Sequence, residues 1–216
     1  HGAAATPRAL QQLSQQILAQ REITATLESL RGLGVTAEYH SVDVRDISAV
    51  CRLIEDLQRR HGPLRGLIHG AGVLADHRIE DKTRDQFDNV FTTKVTGLRN
   101  ILGAVHPETL RTLLLFSSFT ARYGRTGQVD YAIANEVLNK LGQQWRRRQP
   151  DCRVVAFNWG PWDGGMVQGG LKGLFAKEGV GLIPLDAGAG LVAEQLAMPA
   201  TSPVELVVLG PGSTTL

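Results

Sequence analysis

Cysteine is scarce in this sequence, with only Cys51 and Cys152 among 216 residues. Two cysteines are too few for a disulfide framework or for a zinc site built from cysteine. No apolar run approaches the roughly 20 residues that span a bilayer, and the first five residues lack the charged and apolar regions of a signal peptide. We therefore expect a cytoplasmic location and no membrane partner.

Net charge of one sign is also nearly absent. The sequence carries 23 lysine and arginine residues against 21 aspartate and glutamate residues, which gives a formal net charge of +2. This balance gives no reason to expect nucleic acid or a membrane surface as a partner. His69 and His77 have no second ligand at metal-binding spacing, so we expect no metal site.

The sequence does contain short apolar runs that alternate with segments of helical periodicity. This alternation is typical of βαβ units and predicts an α/β fold, a Rossmann-like, doubly wound parallel sheet with helices on both faces. We predict strands at residues 35–42, 64–68, 113–116, 153–157 and 204–209. We predict helices at residues 48–61, 84–105 and 129–148, and a helical segment at residues 1–20 ahead of a domain at residues 21–216.

Polar or glycine-rich clusters come directly after four of these predicted strands. Ligands of parallel sheets bind beyond the carboxyl ends of the strands, so a site is expected at these clusters. The clusters are Asp43, His69–Gly72, Ser117–Ser118 and Asn158–Trp162.

Lys94 lies on the apolar face of the predicted helix 84–105, seven residues after Phe87. It is expected to point with the core and not with the solvated side. One interpretation is a lysine whose stem covers apolar surface while its amine reaches water. The other is an ammonium held in a partly buried site, where it shifts the pKa of a neighbour.

Two further features carry little information when each is taken alone. Ser117 and Ser118 follow a strand, where serine is a common cap or turn residue. Tyr131 and Asn135 are four residues apart on one helical face, and a buried phenol that makes a structural hydrogen bond is the usual interpretation. In combination the features are more specific, because Tyr131 comes thirteen residues after Ser118 and Lys94 lies upstream of both.

The combined pattern resembles the ketoreductase domains of modular polyketide and polyunsaturated fatty-acid synthases, in the complex branch of the short-chain dehydrogenase/reductase superfamily. The resemblance runs from about Arg21 to the end of the sequence, and residues 130–140 look closest to the polyunsaturated-fatty-acid type. It is carried by five ordered motifs, at Val42–Asp46, His69–Leu74, Phe116–Ser118, Asp130–Ala132 and Asn158–Trp162.

The resemblance implies NADPH-dependent reduction of a β-ketoacyl thioester tethered to an acyl carrier protein, with other domains of the same synthase as partners. Tyr131 would be the proton donor, and Ser118 would hydrogen-bond the substrate carbonyl. A phenol of pKa about 10 is poorly matched to neutral pH, so we expect Lys94 to lower the pKa of Tyr131. Asn135 would hold a water or the lysine in a proton relay. Asparagine at this position, where free-standing reductases carry lysine, is the arrangement of carrier-protein-dependent reductases.

The resemblance also implies a set of cofactor contacts. Asp43 and Val44 would flank the adenine, and the small residues 70–72 would let the backbone approach the ribose. Residues 160–162 would contact the nicotinamide side, although Gly-Pro-Trp is also a simple turn sequence. The expected cofactor-binding residues are Asp43, Val44, His69, Gly70, Ala71, Gly72, Lys94, Tyr131, Gly160, Pro161 and Trp162.

Leu74 and Asp76 resemble the substrate-guiding loop of B-type ketoreductases, in which an aspartate helps to guide the pantetheine arm into the groove from one side. Gln128 stands where the A-type carries a tryptophan. A D-configured hydroxyl product is therefore expected, and the alternative is that Asp76 only caps a turn. Met166 lies in residues 164–180, which resemble the family's mobile lid over the substrate.

One part of the family pattern is missing, because no G-x-G-x-x-G occurs and the first strand–helix–strand unit is absent. In the strand order 3-2-1-4-5-6-7, its removal leaves the strands at 35–42 and 64–68 roughly 14 Å apart. We therefore expect that these two strands do not pair with each other. We also expect that the functional unit includes further chain.

Two other functions remain open. The missing phosphate loop favours a non-catalytic structural portion of a megasynthase, whereas the four intact site residues favour an enzyme. A stand-alone dehydrogenase of a free small molecule is disfavoured by Asn135. The basic run Arg146–Arg148 is interpreted as a helix C-terminus, where cations favour the helix dipole, or as a docking patch for the carrier protein.

Overall fold

The computed structural model describes residues 6–164 and 170–214, and the chain divides into two compact units, residues 1–42 and residues 43–216. Among the described residues of the first unit, helix α1 spans Pro7–Gly32. Gly34 has a φ of +75°, a left-handed conformation that glycine adopts readily after a helix. The Val35 N–H donates back to the Leu30 carbonyl at 3.0 Å. The predicted boundary between residues 20 and 21 therefore falls inside a continuous helix.

The predicted strand at residues 35–42 is wrong, because these residues form no regular strand. A β-strand is stable only where a neighbour completes its ladder of backbone hydrogen bonds. Among the described residues, no strand of the sheet pairs with this segment.

The second unit contains a four-stranded parallel sheet in the order β1-β2-β3-β4. The parallel pairing of all four strands confirms the predicted parallel α/β fold. The register places Ser117 beside Asn158 and Ser118 beside Trp159, so the polar ends of two central strands are level at the carboxyl edge. The strands are β1 (Gly66–His69), β2 (Thr112–Ser118), β3 (Arg153–Trp159) and β4 (Glu205–Val208).

Helices connect these strands, as parallel neighbours require. They are α2 (Ile47–His61), α3 (Arg84–Phe91), α4 (Gly97–Ala104), α5 (Thr120–Tyr123), α6 (Val129–Arg148), α7 (Gly170–Lys177) and α8 (Leu185–Ala197). The predicted helix at 84–105 is observed as α3 and α4, joined by a π-helical turn at Thr92–Thr96. Within the described ranges, no helix combines the length and the apolar character needed to cross a membrane.

A capping box starts α3 and so fixes where the Lys94 helix begins. The Gln86 N–H donates to the Thr83 hydroxyl at 3.3 Å, and the Thr83 N–H donates to the Gln86 side-chain oxygen at 3.0 Å. Two backbone donors that a helix start leaves unpaired are thereby satisfied.

The core covers both faces of the sheet. Leu113 and Leu115 of β2 pack on one face with Leu98 and Leu138, while Leu114 between them packs on the other face with Phe157. This alternation follows from the two-residue period of a strand, and burial on both faces explains the continuous apolar run in β2. Because both faces of the sheet are covered, ligands can reach it only at the ends of the strands.

Candidate active site

Lys94 lies on the π-helical turn between α3 and α4 and is only 3% exposed, as its position on the apolar face predicts. A π turn displaces the backbone donors of a helix by one residue. Two hydroxyls add donors here: Thr92 donates to the Asp88 carbonyl at 2.6 Å, and Thr93 donates to the Asn89 carbonyl at 2.7 Å. The sequence Thr-Thr-Lys thus supports the unusual backbone that carries the lysine.

The His69 imidazole holds the same turn from the end of β1. Its Nε2 lies 2.9 Å from the Lys94 carbonyl oxygen, which can only accept, so Nε2–H donates. Burial lowers the pKa of His69 to about 4, and the charge of Lys94 contributes in the same direction. His69 is therefore neutral near pH 7. Its side chain positions the lysine backbone.

The Lys94 side chain runs from this turn to the end of β2. Its ammonium donates to the Phe116 carbonyl at 3.1 Å and lies 5.3 Å from the centre of the Tyr131 ring. Burial lowers the pKa of Lys94 to about 8. Gly72 lines the path, since a Cβ there would lie 3.0 Å from Lys94 Cε and 3.2 Å from Nζ. The small residue leaves room for the lysine.

Tyr131 and Asn135 occupy the first two turns of α6. The Asn135 Nδ2 donates to the Tyr131 carbonyl at 2.8 Å, and the buried Asn135 Oδ1 has no hydrogen-bond partner among the described residues. Burial raises the pKa of Tyr131, the Asn135 side chain lowers it, and the charge of Asp76 raises it. The expected net lowering of this pKa is wrong for this geometry, because desolvation of the phenolate outweighs the effects that lower the pKa.

The two serines at the end of β2 have different roles. The Ser118 hydroxyl accepts from the Thr120 N–H at 3.2 Å and pairs with the Thr120 hydroxyl at 3.0 Å. With Thr120 donating in both contacts, the Ser118 O–H proton is available for a ligand. The Ser117 hydroxyl instead contacts the Asn135 carbonyl at 3.2 Å and the Asn158 side-chain oxygen at 3.1 Å. Ser117 therefore ties α6 to β3.

Most of the site residues predicted from the sequence line one cavity of about 630 Å³ at the carboxyl edge of the sheet. The predicted residues on its wall are Gly70, Gly72, Leu74, Asp76, Lys94, Ser118, Gln128, Tyr131, Gly160, Pro161 and Trp162. Asn135 is buried behind Tyr131. Met166 lies outside the described residues, so its predicted contact and the lid remain predictions.

Four predicted cofactor residues are not on the cavity wall. The exposed Asp43 carboxylate is held by Arg45, whose hydrogen bonds lower the pKa of Asp43 to about 2. Val44 packs against Gly97, where an added Cβ would lie 2.7 Å from Val44 Cγ2. Ala71 is absent from the wall, and the His69 side chain is buried against Lys94. In the part of the chain that the structure describes, Asp43 and Val44 serve local packing and pairing.

The apolar walls of the cavity were not among the predicted site residues, and they include Phe116, Phe119, Trp159, Phe175 and Leu185. Aromatic and aliphatic residues in strands and helices look like ordinary core in a sequence. Trp159 also carries an indole N–H that is buried and has no partner among the described residues. Only the neighbouring polar motif could have drawn attention to it.

The predicted substrate-guiding loop lies against the start of α6. Gln128 Nε2 donates to Asp76 Oδ2 at 2.8 Å, and the His77 N–H donates to the Gly127 carbonyl at 3.0 Å. Leu74 and Asp76 both line the cavity. The loop therefore forms one wall of the cavity beside Tyr131.

A family model described as the KR domain matches residues 3–164. A polyunsaturated fatty acid synthase polypeptide of Thraustochytrium sp. (strain ATCC 26185 / S-3) is 39% identical over 204 residues, which are 94% of this chain and 7% of that protein. The polyketide synthase PksL of Bacillus subtilis (strain 168) is 30% identical over 85% of this chain and 4% of its own length.

Solved structures agree with this match. An N-terminal ketoreductase from the macrolactin assembly line superposes with a TM-score of 0.74 at 30% identity, over 88% of this chain and 37% of its own. PlmKR1, the ketoreductase from the first module of phoslactomycin biosynthesis in Streptomyces sp. HK803, gives 0.77 at 32% identity, over 86% and 43%. This chain spans less than a tenth of the two synthases and less than half of the two solved ketoreductase chains. The chain belongs to the KR domain family, the ketoreductases of polyketide and polyunsaturated fatty-acid synthases, and has their Rossmann-like fold.

Proposed function

We propose that this chain reduces a β-ketoacyl thioester, tethered to an acyl carrier protein, to the β-hydroxyacyl thioester, with NADPH as the reductant. The observation that carries the proposal is the convergence of Lys94, Ser118 and Tyr131 on one cavity at the carboxyl edge of the sheet. Three different elements supply these side chains. Their convergence is therefore a property of the fold and not of one sequence motif.

Reduction of a ketone places negative charge on its oxygen, which a hydrogen-bond donor and a proton donor must stabilise. The free O–H of Ser118 is suited to hydrogen-bond that oxygen. Tyr131 is suited to protonate it, because burial raises the pKa of the phenol and keeps it protonated at neutral pH. The Lys94 ammonium, 5.3 Å from the ring centre, then stabilises the phenolate that remains.

The residues present fit the nicotinamide end of a dinucleotide, which when bound supplies the hydride. Gly70 lies on the cavity wall, and a Cβ built there meets no atom within 4 Å, so its backbone is open to a ligand. Gly160 and Pro161 line the opposite strand end. The sequence has no G-x-G-x-x-G for the pyrophosphate. We infer that residues beyond these 216 bind the phosphates.

The walls of the cavity suit an acyl chain. Phe116, Trp159, Trp162, Phe175 and Leu185 provide apolar surface around a small number of polar groups. The relatives in which this domain occurs are synthases, which supports a carrier protein and neighbouring synthase domains as partners. Asn135 in place of a lysine supports the same class of substrate.

A second candidate function is a structural, non-catalytic part of a synthase, and the missing phosphate loop is the observation that favours it. The two proposals differ in cofactor binding. Titration of the natural full-length polypeptide with NADPH and with NADH, followed by cofactor fluorescence, is expected to give saturable binding with tighter affinity for NADPH. Absence of binding at this domain would favour the structural role.

The activity test uses the same full-length polypeptide and the acetoacetyl thioester of pantetheine. We expect NADPH consumption with formation of one hydroxybutyryl thioester, and no consumption in a Tyr131→Phe variant. Reduction that continues unchanged in this variant would show that another domain carries the activity.

A further inference from the structure

Lys82 and Asp130 form a buried ion pair beside the site, and the sequence alone predicts no role for either side chain. Lys82 Nζ lies 2.7 Å from Asp130 Oδ2, and the two side chains are 4% and 1% exposed. Removing two charges from water is costly, so such a pair is weak evidence for stability by itself. Its other contacts suggest what it does.

Each partner makes a second bond to the backbone of a site segment. Lys82 Nζ also donates to the Ala75 carbonyl at 2.5 Å, and Ala75 lies between Leu74 and Asp76. Asp130 Oδ1 accepts from the Tyr131 N–H at 2.9 Å. The pair therefore links the backbone of the substrate-guiding loop to the backbone of the proposed proton donor.

Two neighbouring hydrogen bonds also join the loop to the residues at the start of α6. They are the Gln128–Asp76 side-chain bond at 2.8 Å and the His77–Gly127 backbone bond at 3.0 Å. Both lie at residues more exposed than the buried pair. Exposed hydrogen bonds contribute less to rigidity than buried charged ones. The ion pair therefore holds the loop against the start of α6 more firmly than these two hydrogen bonds do.

Both residues of the ion pair lie at the start of a helix. Lys82 directly precedes Thr83, which caps α3, and α3 continues into the turn that carries Lys94. Asp130 lies in the first turn of α6, where a carboxylate is favoured by the helix dipole. The starts of the two helices that carry Lys94 and Tyr131 are thus joined by one contact.

We propose that the Lys82–Asp130 pair is a positioning device that holds residues 74–76 against the start of α6 and thereby sets the side from which the acyl chain enters. The proposal rests on the proposed reduction, because the entry side decides which face of the ketone is reduced. Neither residue takes part in the chemistry. The pair acts through Ala75 and Tyr131.

The test is the double variant Lys82→Met/Asp130→Asn in the natural full-length polypeptide. A single substitution would leave a buried unpaired charge, which destabilises strongly. In the double variant no charge remains, and the asparagine Oδ1 still accepts from the Tyr131 N–H. The ion pair itself and the bond to the Ala75 carbonyl are lost. The matched control is Arg84→Gln, which removes a cation two residues away whose side chain is 92% exposed.

The first measurement is hydrogen exchange in peptides that span residues 74–82. We expect exchange about tenfold faster in the double variant than in the wild type, because a charged hydrogen bond has been removed. The second is the D:L ratio of the hydroxybutyryl product. We expect this ratio to fall about tenfold, with KM rising more than kcat falls. Arg84→Gln is expected to change neither measurement.

Unchanged exchange in the double variant would overturn the proposal, and so would an unchanged D:L ratio in a folded, active double variant. A wild-type polypeptide that binds NADPH but reduces no thioester would instead contradict the proposed function. Hydrogen exchange decides in that case whether the pair holds the loop, since it needs no turnover.

Discussion

The Lys94 ammonium lies 5.3 Å from the centre of the Tyr131 ring while donating to the Phe116 carbonyl of β2. The strand end thus fixes the distance between a cation on one helix and a phenol on another. The lysine is close enough to stabilise charge that forms on the phenol. Its place beside the ring therefore ties the activity of the site to the protonation of Lys94.

Tyr131→Phe is expected to abolish ketone reduction with little change in thermal stability. The substitution removes the proton donor and keeps the ring that packs at the start of α6. Loss of a general acid typically costs about 10² to 10⁴ in rate, so kcat on the acetoacetyl thioester should fall by this factor. Tyr123→Phe, at a 48% exposed tyrosine outside the cavity wall, should retain full activity. An unchanged kcat in Tyr131→Phe would contradict the assignment.

Lys94→Met is expected to reduce kcat and to shift the basic limb of the pH–rate profile upward. The pKa of Lys94 is about 8 because of burial, so wild-type activity should decline as the ammonium loses its proton above pH 8. A variant that cannot titrate at this position should lack that decline. Lys140→Met, on an exposed face of α6, should keep the wild-type profile. A wild-type profile in Lys94→Met would show that the lysine only packs.

Although Lys94→Met is expected to lower kcat, we expect it to raise the free energy of unfolding. The folded-state pKa of Lys94 lies below the unfolded value of about 10.4, so the charged lysine destabilises the fold at neutral pH. This cost is lost as the pH rises from about 8 to 10.4. Lys94→Met should therefore be more stable than the wild type at pH 7, by up to about 3 kcal/mol, and the difference should shrink toward about pH 10. Denaturant unfolding at both pH values measures it.

Gly72→Ala is expected to lower kcat by about tenfold without unfolding the protein. The new Cβ would lie 3.0 Å from Lys94 Cε, and the flexible end of the lysine can move away, which displaces the ammonium from Tyr131. Gly103→Ala in α4 is the control, since its Cβ meets no atom within 4 Å. That substitution should leave kcat unchanged and stabilise the helix by about 1 kcal/mol. Equal kcat values for both variants would contradict the role of Gly72.

The product is expected to be the D-hydroxyacyl thioester, R in simple alkyl chains. Asp76 lines the cavity and is held by Gln128, so we expect the acyl chain to enter from one side. Asp76→Ala should lower the D:L ratio about tenfold, which corresponds to loss of one charged hydrogen bond. Asp81→Ala, at an exposed residue outside the cavity wall, should leave it unchanged. Chiral chromatography measures both, and a predominantly L product would contradict the role of Leu74 and Asp76.

The sequence predicts the elements whose signals are local. The continuous apolar run of β2 reflects burial on both faces, and the helical periodicity of α6 reaches from Val129 to Arg148 as expected. The segment 35–42 has the composition of a strand but forms none, because strand formation depends on a partner and not on the segment alone. The residues of one segment do not show whether a partner strand is present.

The candidate site likewise contains some features that the sequence predicts and others that it does not. Lys94 was recognisable because a charged residue stands out on an apolar helix face, and Ser118 and Tyr131 were recognisable only through their spacing in combination with it. The π turn under Lys94 was not recognisable, since residue types set it only weakly. The direction of the Tyr131 pKa shift was also mispredicted, because the sequence shows which cation is near but not how much water the phenol loses. The sequence also did not show that the His69 imidazole donates to the Lys94 carbonyl.

The π turn at Thr92–Thr96 also has a consequence for how this domain can lose its activity. A π turn holds one residue more than an α turn, so deletion of a single codon within it would let α3 run directly into α4 as a regular helix. The lysine would rotate out of its place by one residue position, while every side chain of the cavity would still be encoded. An in-frame deletion of one codon of this turn other than that of Lys94 is therefore expected to inactivate the site and to leave its motifs intact.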